Sequence, residues 1–197
     1  QSDQAMRQGD WPLVLGYVLR GKTLGILGLG KIGTEVAAIG RAFGMKIIAW
    51  GPTLTPERAS RSQASYMPLD DLLKEADVVS VHLALSDQSR NLLNEGRLRL
   101  MKQSAYLINT ARGGLVDESA LAEALTHGQI GGAGFDVVTA EPPPSDHPFM
   151  RLLDRPNFIL TPHVAWASRE AIQGLADQLT ENIELFWRGN PRNLVVA

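Results

Sequence analysis

Short apolar runs alternate with amphipathic stretches along most of the chain. Lys22-Thr23-Leu24-Gly25-Ile26-Leu27 has the apolar character of a strand buried on both faces. Ile32, Val36, Ile39 and Phe43 then recur at helical spacing, and Met45-Lys46-Ile47-Ile48-Ala49-Trp50 reads as a second strand. Residues 68–76 predict a short helix with acids in its first turn, followed by a buried strand over 77–83. A helical stretch near 91–101 leads to a strand over 105–110, and Asp117 is placed to cap a helix over 118–125. Residues 131–138 read as a further strand, broken off by the loop Glu141-Pro142-Pro143-Pro144. The last strand is 157–163. Ser168 then caps a long amphipathic helix from about 169 to 188, which Gly189-Asn190-Pro191 stops. This alternation, without repeats or low-complexity segments, is that of an α/β fold with a doubly wound parallel sheet. Residues 1–20 stand apart: Trp11, Leu13, Val14, Leu15, Tyr17, Val18 and Leu19 are too apolar for a tail and do not alternate like a strand. They fit either a segment that packs on a neighbouring subunit or a helix on the chain's own core.

The turn between the first strand and the first helix carries the most chemistry. Gly28-Leu29-Gly30-Lys31-Ile32-Gly33 is a G-x-G-x-x-G placed between a strand and a helix. Gly28 allows the sharp turn, Gly30 offers no Cβ to block a pyrophosphate, and Gly33 lets helix and strand pack closely. The exposed N–H groups and positive dipole end of the helix would hold the diphosphate, with Lys31 and Ile32 in its first turn. The alternative is a tight strand-to-helix turn with no ligand. At the end of the second strand, where NAD sites usually place an acid for the ribose hydroxyls, the chain reads Trp50-Gly51-Pro52-Thr53. Without that acid, repulsion of a 2′-phosphate disappears, so NADP becomes possible. Arg58 and Arg61 follow in an expected helix, where they can equally be solvated.

Composition narrows the classes. The 197 residues, 44% apolar and 20% charged, suffice for one sizeable domain with a buried core. A net charge of −2 without a long basic run lacks the footprint of a nucleic-acid binder, and no apolar run is long enough to span a membrane. No secretory signal opens the chain. Cysteine is absent, which removes disulfides, thiolate metal sites and thiol nucleophiles, and fits a cytoplasmic protein. The histidines at 82, 127, 147 and 163 show no metal spacing, so no metal site is expected. His127 reads as a helix C-terminal residue and His147 as a loop residue. The opening Gln1 in place of Met is expected of a processed or trimmed chain.

Candidate reactive residues lie at strand carboxyl ends, where open α/β sheets bind ligands. They are His82-Leu83 and Arg112, the latter between a strand and a glycine pair. The turn at Gly28–Gly33, Asn109-Thr110-Ala111-Arg112-Gly113-Gly114-Leu115-Val116-Asp117, Phe135-Asp136-Val137 with Glu141-Pro142, and Thr161-Pro162-His163-Val164-Ala165 occur in this order and spacing. Together they resemble the nucleotide-binding domain of the D-isomer-specific 2-hydroxyacid dehydrogenases, from about residue 6 to the C-terminus.

The resemblance implies a Rossmann-type domain over 1–197, with 1–20 linking or contacting a twofold partner in a homodimer, and with the family's N-terminal substrate domain not present. It implies hydride transfer between NAD(H) or NADP(H) and a small 2-keto acid or D-2-hydroxy acid. Arg112 would bind and polarise the substrate, His163 would act as acid and base, and Glu141 would hold and charge His163. Asp136 matches the position that binds the nicotinamide carboxamide, a structural acid being its alternative. His82, Leu83, Thr110, Ala111, Arg112, His163 and Ala165 match further cofactor contacts, as Gly51 does at the ribose end. Arg112 as a surface or phosphate-binding residue, Glu141 as a plain loop carboxylate and His163 as a helix cap are the competing readings. Pro52 occupies the place where NADP-using relatives put a basic residue, which favours NAD. Trp166 is similar to the glyoxylate/hydroxypyruvate reductase branch. Glu141 argues against formate dehydrogenases, which carry glutamine there. A phosphite-type dehydrogenase and a non-catalytic NAD(H)-sensing corepressor keep the same trio and stand as alternatives.

Overall fold

The computed structural model describes residues 2–11, 13 and 15–195, so the expectation for Val14 lies outside the described residues. The chain divides into two compact units, Gln1–Pro162 and His163–Ala197.

The first unit is built on one parallel sheet. Its strands are β1 (Thr23–Leu27), β2 (Lys46–Trp50), β3 (Ser65–Tyr66), β4 (Val78–Val81), β5 (Tyr106–Asn109), β6 (Gly132–Phe135) and β7 (Phe158–Leu160). They lie in the order β3-β2-β1-β4-β5-β6-β7, every neighbouring pair parallel. The connecting helices are α2 (Lys31–Ala42), α3 (Pro56–Arg61), α4 (Leu69–Glu75), α5 (Glu95–Leu98) and α6 (Glu118–Thr126), after an N-terminal α1 (Ser2–Arg7). The expected doubly wound α/β sheet is therefore present.

Strand alternation divides the core between two clusters. Leu24 and Ile26 of β1 with Ile47 and Ala49 of β2 meet Ala37 of α2. Leu27 and Ile48, at the alternate positions, join Leu72 and Leu73 of α4 and Leu121 and Leu125 of α6. All of β1 is buried, as its unbroken apolar run required.

One expectation is revised, one strand is new, and one open alternative is narrowed. The helical stretch near 91–101 shrinks to the single turn of α5, because Asn91 holds φ +48 and the Asn94 side chain caps a new start by accepting from the Arg97 N–H. Strand β3 was not expected: its two exposed residues carry no buried alternation, and it exists through pairing with Ile48 and Ala49 at the sheet edge. The segment after α1 does not cover its own core, since Trp11, Leu13, Leu15, Tyr17 and Val18 are exposed.

In the second unit, α7 (Arg169–Trp187) starts at Ser168, whose hydroxyl accepts from the Ala171 N–H at 3.0 Å. Its apolar stripe of Ile172, Leu175, Leu179, Ile183 and Phe186 is exposed. Among the described residues, no helix is long and apolar enough to cross a membrane.

Candidate functional site

The carboxyl ends of β1, β4, β5 and β6 lie along one edge of the sheet, and each is followed by a segment of the expected site. After β1 the chain turns at Gly28, which holds φ +99. A Cβ there would stand 2.7 Å from the carbonyl oxygen of His82, so the ends of β1 and β4 approach as only glycine permits. A Cβ on Gly33 would meet the Gly28 carbonyl oxygen at 2.2 Å. Gly30 differs from both: nothing lies within 4 Å of its missing Cβ. It is the N-cap of α2, with no side-chain cap and no acid in the first turn. The first N–H groups of this helix are thus left to a ligand, and no carboxylate cancels the dipole. The turn fits a dinucleotide diphosphate on these grounds.

Two clefts meet at this helix start. One of about 540 Å³ is lined by Gly30, Lys31, Ile32, Thr34 and Glu35. The other, of about 440 Å³, is lined by Ile32, His82, Leu83, Thr110, Ala111 and Arg112 among others. Ile32 borders both, so the glycine turn and Arg112 share one continuous edge.

The turn bearing Arg112 is fixed from below by a residue whose role the sequence did not disclose. Asn109 is fully buried, its Nδ2 donates to the Arg112 carbonyl at 2.8 Å, and its Oδ1 accepts from the Ala111 N–H at 3.0 Å. An asparagine at the end of a buried strand, two residues before the turn, was the available signal. The Arg112 guanidinium is exposed and donates to the Ala111 carbonyl at 2.6 Å.

His82 pairs through Nε2 with the Ser80 hydroxyl at 2.9 Å. Burial pushes its imidazole below the usual histidine range, which keeps it neutral near pH 7. That agrees with a packing or cofactor-side residue rather than an acid. Asp136 is buried at the end of β6, and the Thr161 hydroxyl donates to its carboxylate. Glu141 is exposed, its Oε1 accepting from the Val138 N–H at 3.2 Å. His147 lies in a loop as expected, but its ring is buried and its Nε2 lies 3.0 Å from Oε2 of Glu118.

At the end of β2, a Cβ on Gly51 would make only ordinary contacts, 3.5 Å to Leu54 at the nearest. Thr55 caps α3, and the Arg58 guanidinium donates to the Thr53 carbonyl at 2.7 Å. In the second unit, His163 holds φ +53, and its carbonyl accepts from Nε1 of Trp166 at 2.8 Å. Among the described residues, no three histidine or acidic side chains are grouped as metal ligands.

Residues 1–165 match the family model described as D-isomer specific 2-hydroxyacid dehydrogenase, NAD binding domain. The chain is 45% identical to a glycerate dehydrogenase of Methylorubrum extorquens over 98% of its own length and 61% of the relative's. A glyoxylate reductase of Aeropyrum pernix is 43% identical over 99% of this chain and 60% of the relative. Among solved structures, D-lactate dehydrogenase of Aquifex aeolicus, complexed with NAD and lactic acid, superposes with a TM-score of 0.88 at 32% identity, covering 95% of this chain and 61% of that one. The chain thus spans about three-fifths of the length of the relatives it matches.

Proposed function

The chain belongs to the D-isomer specific 2-hydroxyacid dehydrogenase family, and on that premise we propose that it transfers hydride between a nicotinamide cofactor and the carbonyl of a small 2-keto acid. The observation that carries this reading is the single edge running from the open face of Gly30 to the guanidinium of Arg112. An uncapped helix start suits a diphosphate, and a planar cation suits a carboxylate set beside a carbonyl.

The nicotinamide cofactor, when bound, supplies or accepts the hydride. Gly28, Gly30, Lys31, Ile32, Gly33 and Gly51 are assigned to its diphosphate and ribose end. Asp136 is assigned to its nicotinamide carboxamide, and His82, Leu83, Thr110, Ala111, Arg112, His163 and Ala165 to further contacts around it. Arg112 binds the substrate carboxylate and polarises the carbonyl that becomes an alkoxide. His163 gives that oxygen its proton and removes it in the reverse direction. The left-handed φ of +53 at His163 supports a functional role, because such backbone strain collects at reactive sites. Glu141 is assigned as the partner of His163. His82 is the wrong histidine for proton donation, being held neutral by burial.

NAD is favoured over NADP, because Pro52 replaces a basic residue and Arg58 is engaged by the Thr53 carbonyl. Residues 1–197 serve as the nucleotide-binding domain, in a homodimer that covers the exposed Trp11, Leu13, Leu15, Tyr17 and Val18. Light scattering reads the oligomeric state directly.

The test is titration with NADH and NADPH by fluorescence transfer from tryptophan, followed by turnover of the full-length protein, substrate domain included, with glyoxylate and hydroxypyruvate. His163→Ala is expected to lower turnover about 10²–10⁴-fold while leaving cofactor affinity unchanged. Undiminished turnover would remove His163 from the proton transfer. A full-length wild type that binds NADH tightly but reduces neither acid would be a nucleotide sensor instead.

A further inference from the structure

Both ends of the loop that carries Glu141 converge on one carboxylate. Glu118 lies in the first turn of α6 with its side chain only 10% exposed. Its Oε1 accepts the backbone N–H of Thr139 at 2.7 Å, and its Oε2 lies 3.0 Å from Nε2 of His147. The tautomer of His147 follows from its other nitrogen. Nδ1 accepts the N–H of Phe149 at 3.2 Å, so the ring proton sits on Nε2 and is donated to Glu118. The ring is held edge-on against Phe149 with centroids 5.1 Å apart. Phe149 is fully buried and packs in turn on Phe135 and Phe158. His147 cannot drift without opening that aromatic core.

The first residues of the same loop press against the segment that follows Arg112. A Cβ on Gly113 would stand 2.2 Å from the Val138 carbonyl carbon and 2.3 Å from the Thr139 nitrogen. The two backbones therefore touch, and a few residues later the same segment supplies Glu118. Its carboxylate sits at the positive end of α6, where the dipole favours it. Glu141 accepts from the Val138 N–H, so its position follows the part of the loop that Glu118 holds through Thr139.

We propose that Glu118 and His147 are positioning residues, a buried carboxylate–imidazole clamp that keeps the Glu141 loop in register with the Arg112 turn during the reaction. This rests on the reductase reading above. Neither residue touches substrate or cofactor in the proposed chemistry; both act through Glu141.

The test compares Glu118→Ala and Glu118→Gln in the full-length protein, each made alone and in a Glu141→Gln background, by turnover with NADH and keto acid and by amide hydrogen exchange. Glu118→Ala is expected to lower kcat about 10–100-fold, the scale of a misplaced reacting group, with NADH affinity unchanged. Glu118→Gln keeps the acceptor for Thr139 and loses the one for His147, so its kcat falls between alanine and wild type. In the Glu141→Gln background, Glu118→Ala should lower kcat no further. Exchange should quicken at Val138 and Thr139 while β5 stays protected. An equal loss of kcat in both backgrounds, or unchanged exchange at Thr139, overturns the clamp. Full-length wild-type protein without turnover overturns the reductase reading itself. A wild type that turns over beside an equally active Glu118→Ala overturns only the clamp.

Discussion

Alanine at Gly30 and, separately, at Gly33 should divide ligand binding from folding within one turn. At Gly33 the new methyl would stand 2.2 Å from the Gly28 carbonyl oxygen and 3.1 Å from Cγ2 of Ile26. The first obstacle is backbone, so relief requires α2 to move away from β1 by about 1 Å. Alanine gains up to about 1 kcal/mol over glycine inside a helix, while overpacking costs about 1–3 kcal/mol. With a rigid carbonyl in the way the upper part of that range applies, leaving a net loss of about 1–2 kcal/mol. In a chain of this size that lowers the melting temperature by roughly 2–8 °C. At Gly30 the methyl meets no protein atom within 4 Å, and φ −89, ψ −159 is open to alanine. Its cost to the fold is that of a poorer N-cap, about 0.5 kcal/mol. The methyl does, however, fill the space a diphosphate would approach. A tenfold or greater rise in the Kd for NADH, about 1.4 kcal/mol, is expected. Thermal melting and fluorescence titration of both variants decide the matter. Wild-type affinity in Gly30→Ala would mean that no diphosphate lies against this face. Wild-type melting in Gly33→Ala would mean that helix and turn are looser than described.

Other consequences concern charge. Arg112→Lys keeps the cation but loses the planar fork, so the KM for the keto acid should rise about 10²-fold with NADH affinity and melting unchanged; a KM within threefold of wild type would deny Arg112 its carboxylate. An added Cβ at Gly51 meets only ordinary contacts, so Gly51→Asp should fold normally and shift the NADH-to-NADPH preference at least about tenfold toward NADH by repelling a 2′-phosphate. An unchanged preference would place the 2′ position elsewhere. Asp77 is partly buried, which by itself raises a carboxyl's pKa, yet the Thr23 N–H and the ammonium groups of Lys102 and Lys22 outweigh that and hold it below the usual range. A depressed folded pKa stabilises above the unfolded value of about 3.9 and is lost as pH falls through the folded one. Asp77→Asn should therefore cost stability at neutral pH and flatten the acid limb of a melting-against-pH curve; a limb of unchanged steepness would refute the assignment.

What the sequence disclosed and what it withheld divide along a physical line. Buried parallel strands announce themselves because both faces are covered, so β1, β2, β4 and β5 were legible as apolar runs. Caps were legible because a single side chain satisfies its own helix start, as Asp117 does for Ala120 and Ser168 for Ala171. The glycine turn and the Arg112 segment were legible as local motifs whose neighbours in sequence are also neighbours in space. Strand β3 was not, since its order comes from the pairing partner rather than from its own residues. Asn91 at φ +48 likewise shortens a helix that side-chain spacing alone favours.

Glu118 and His147 show why part of a site stays hidden. Glu118 reads as an ordinary first-turn acid, for which the helix dipole already gives sufficient reason. His147 reads as a polar loop residue beside prolines. Their burial arises because a parallel sheet delivers successive strand ends to one edge, so the segments after β5 and β6 must pack on each other there. Gly113 against Val138 and Thr139 is that contact, and beside it the Thr139 N–H donates to Glu118. Glu118 offers that acceptor from the first turn of α6. Its second oxygen then needs a donor, which selects a side chain from the far end of the same loop. The clamp is thus a consequence of strand order, not of spacing along the chain.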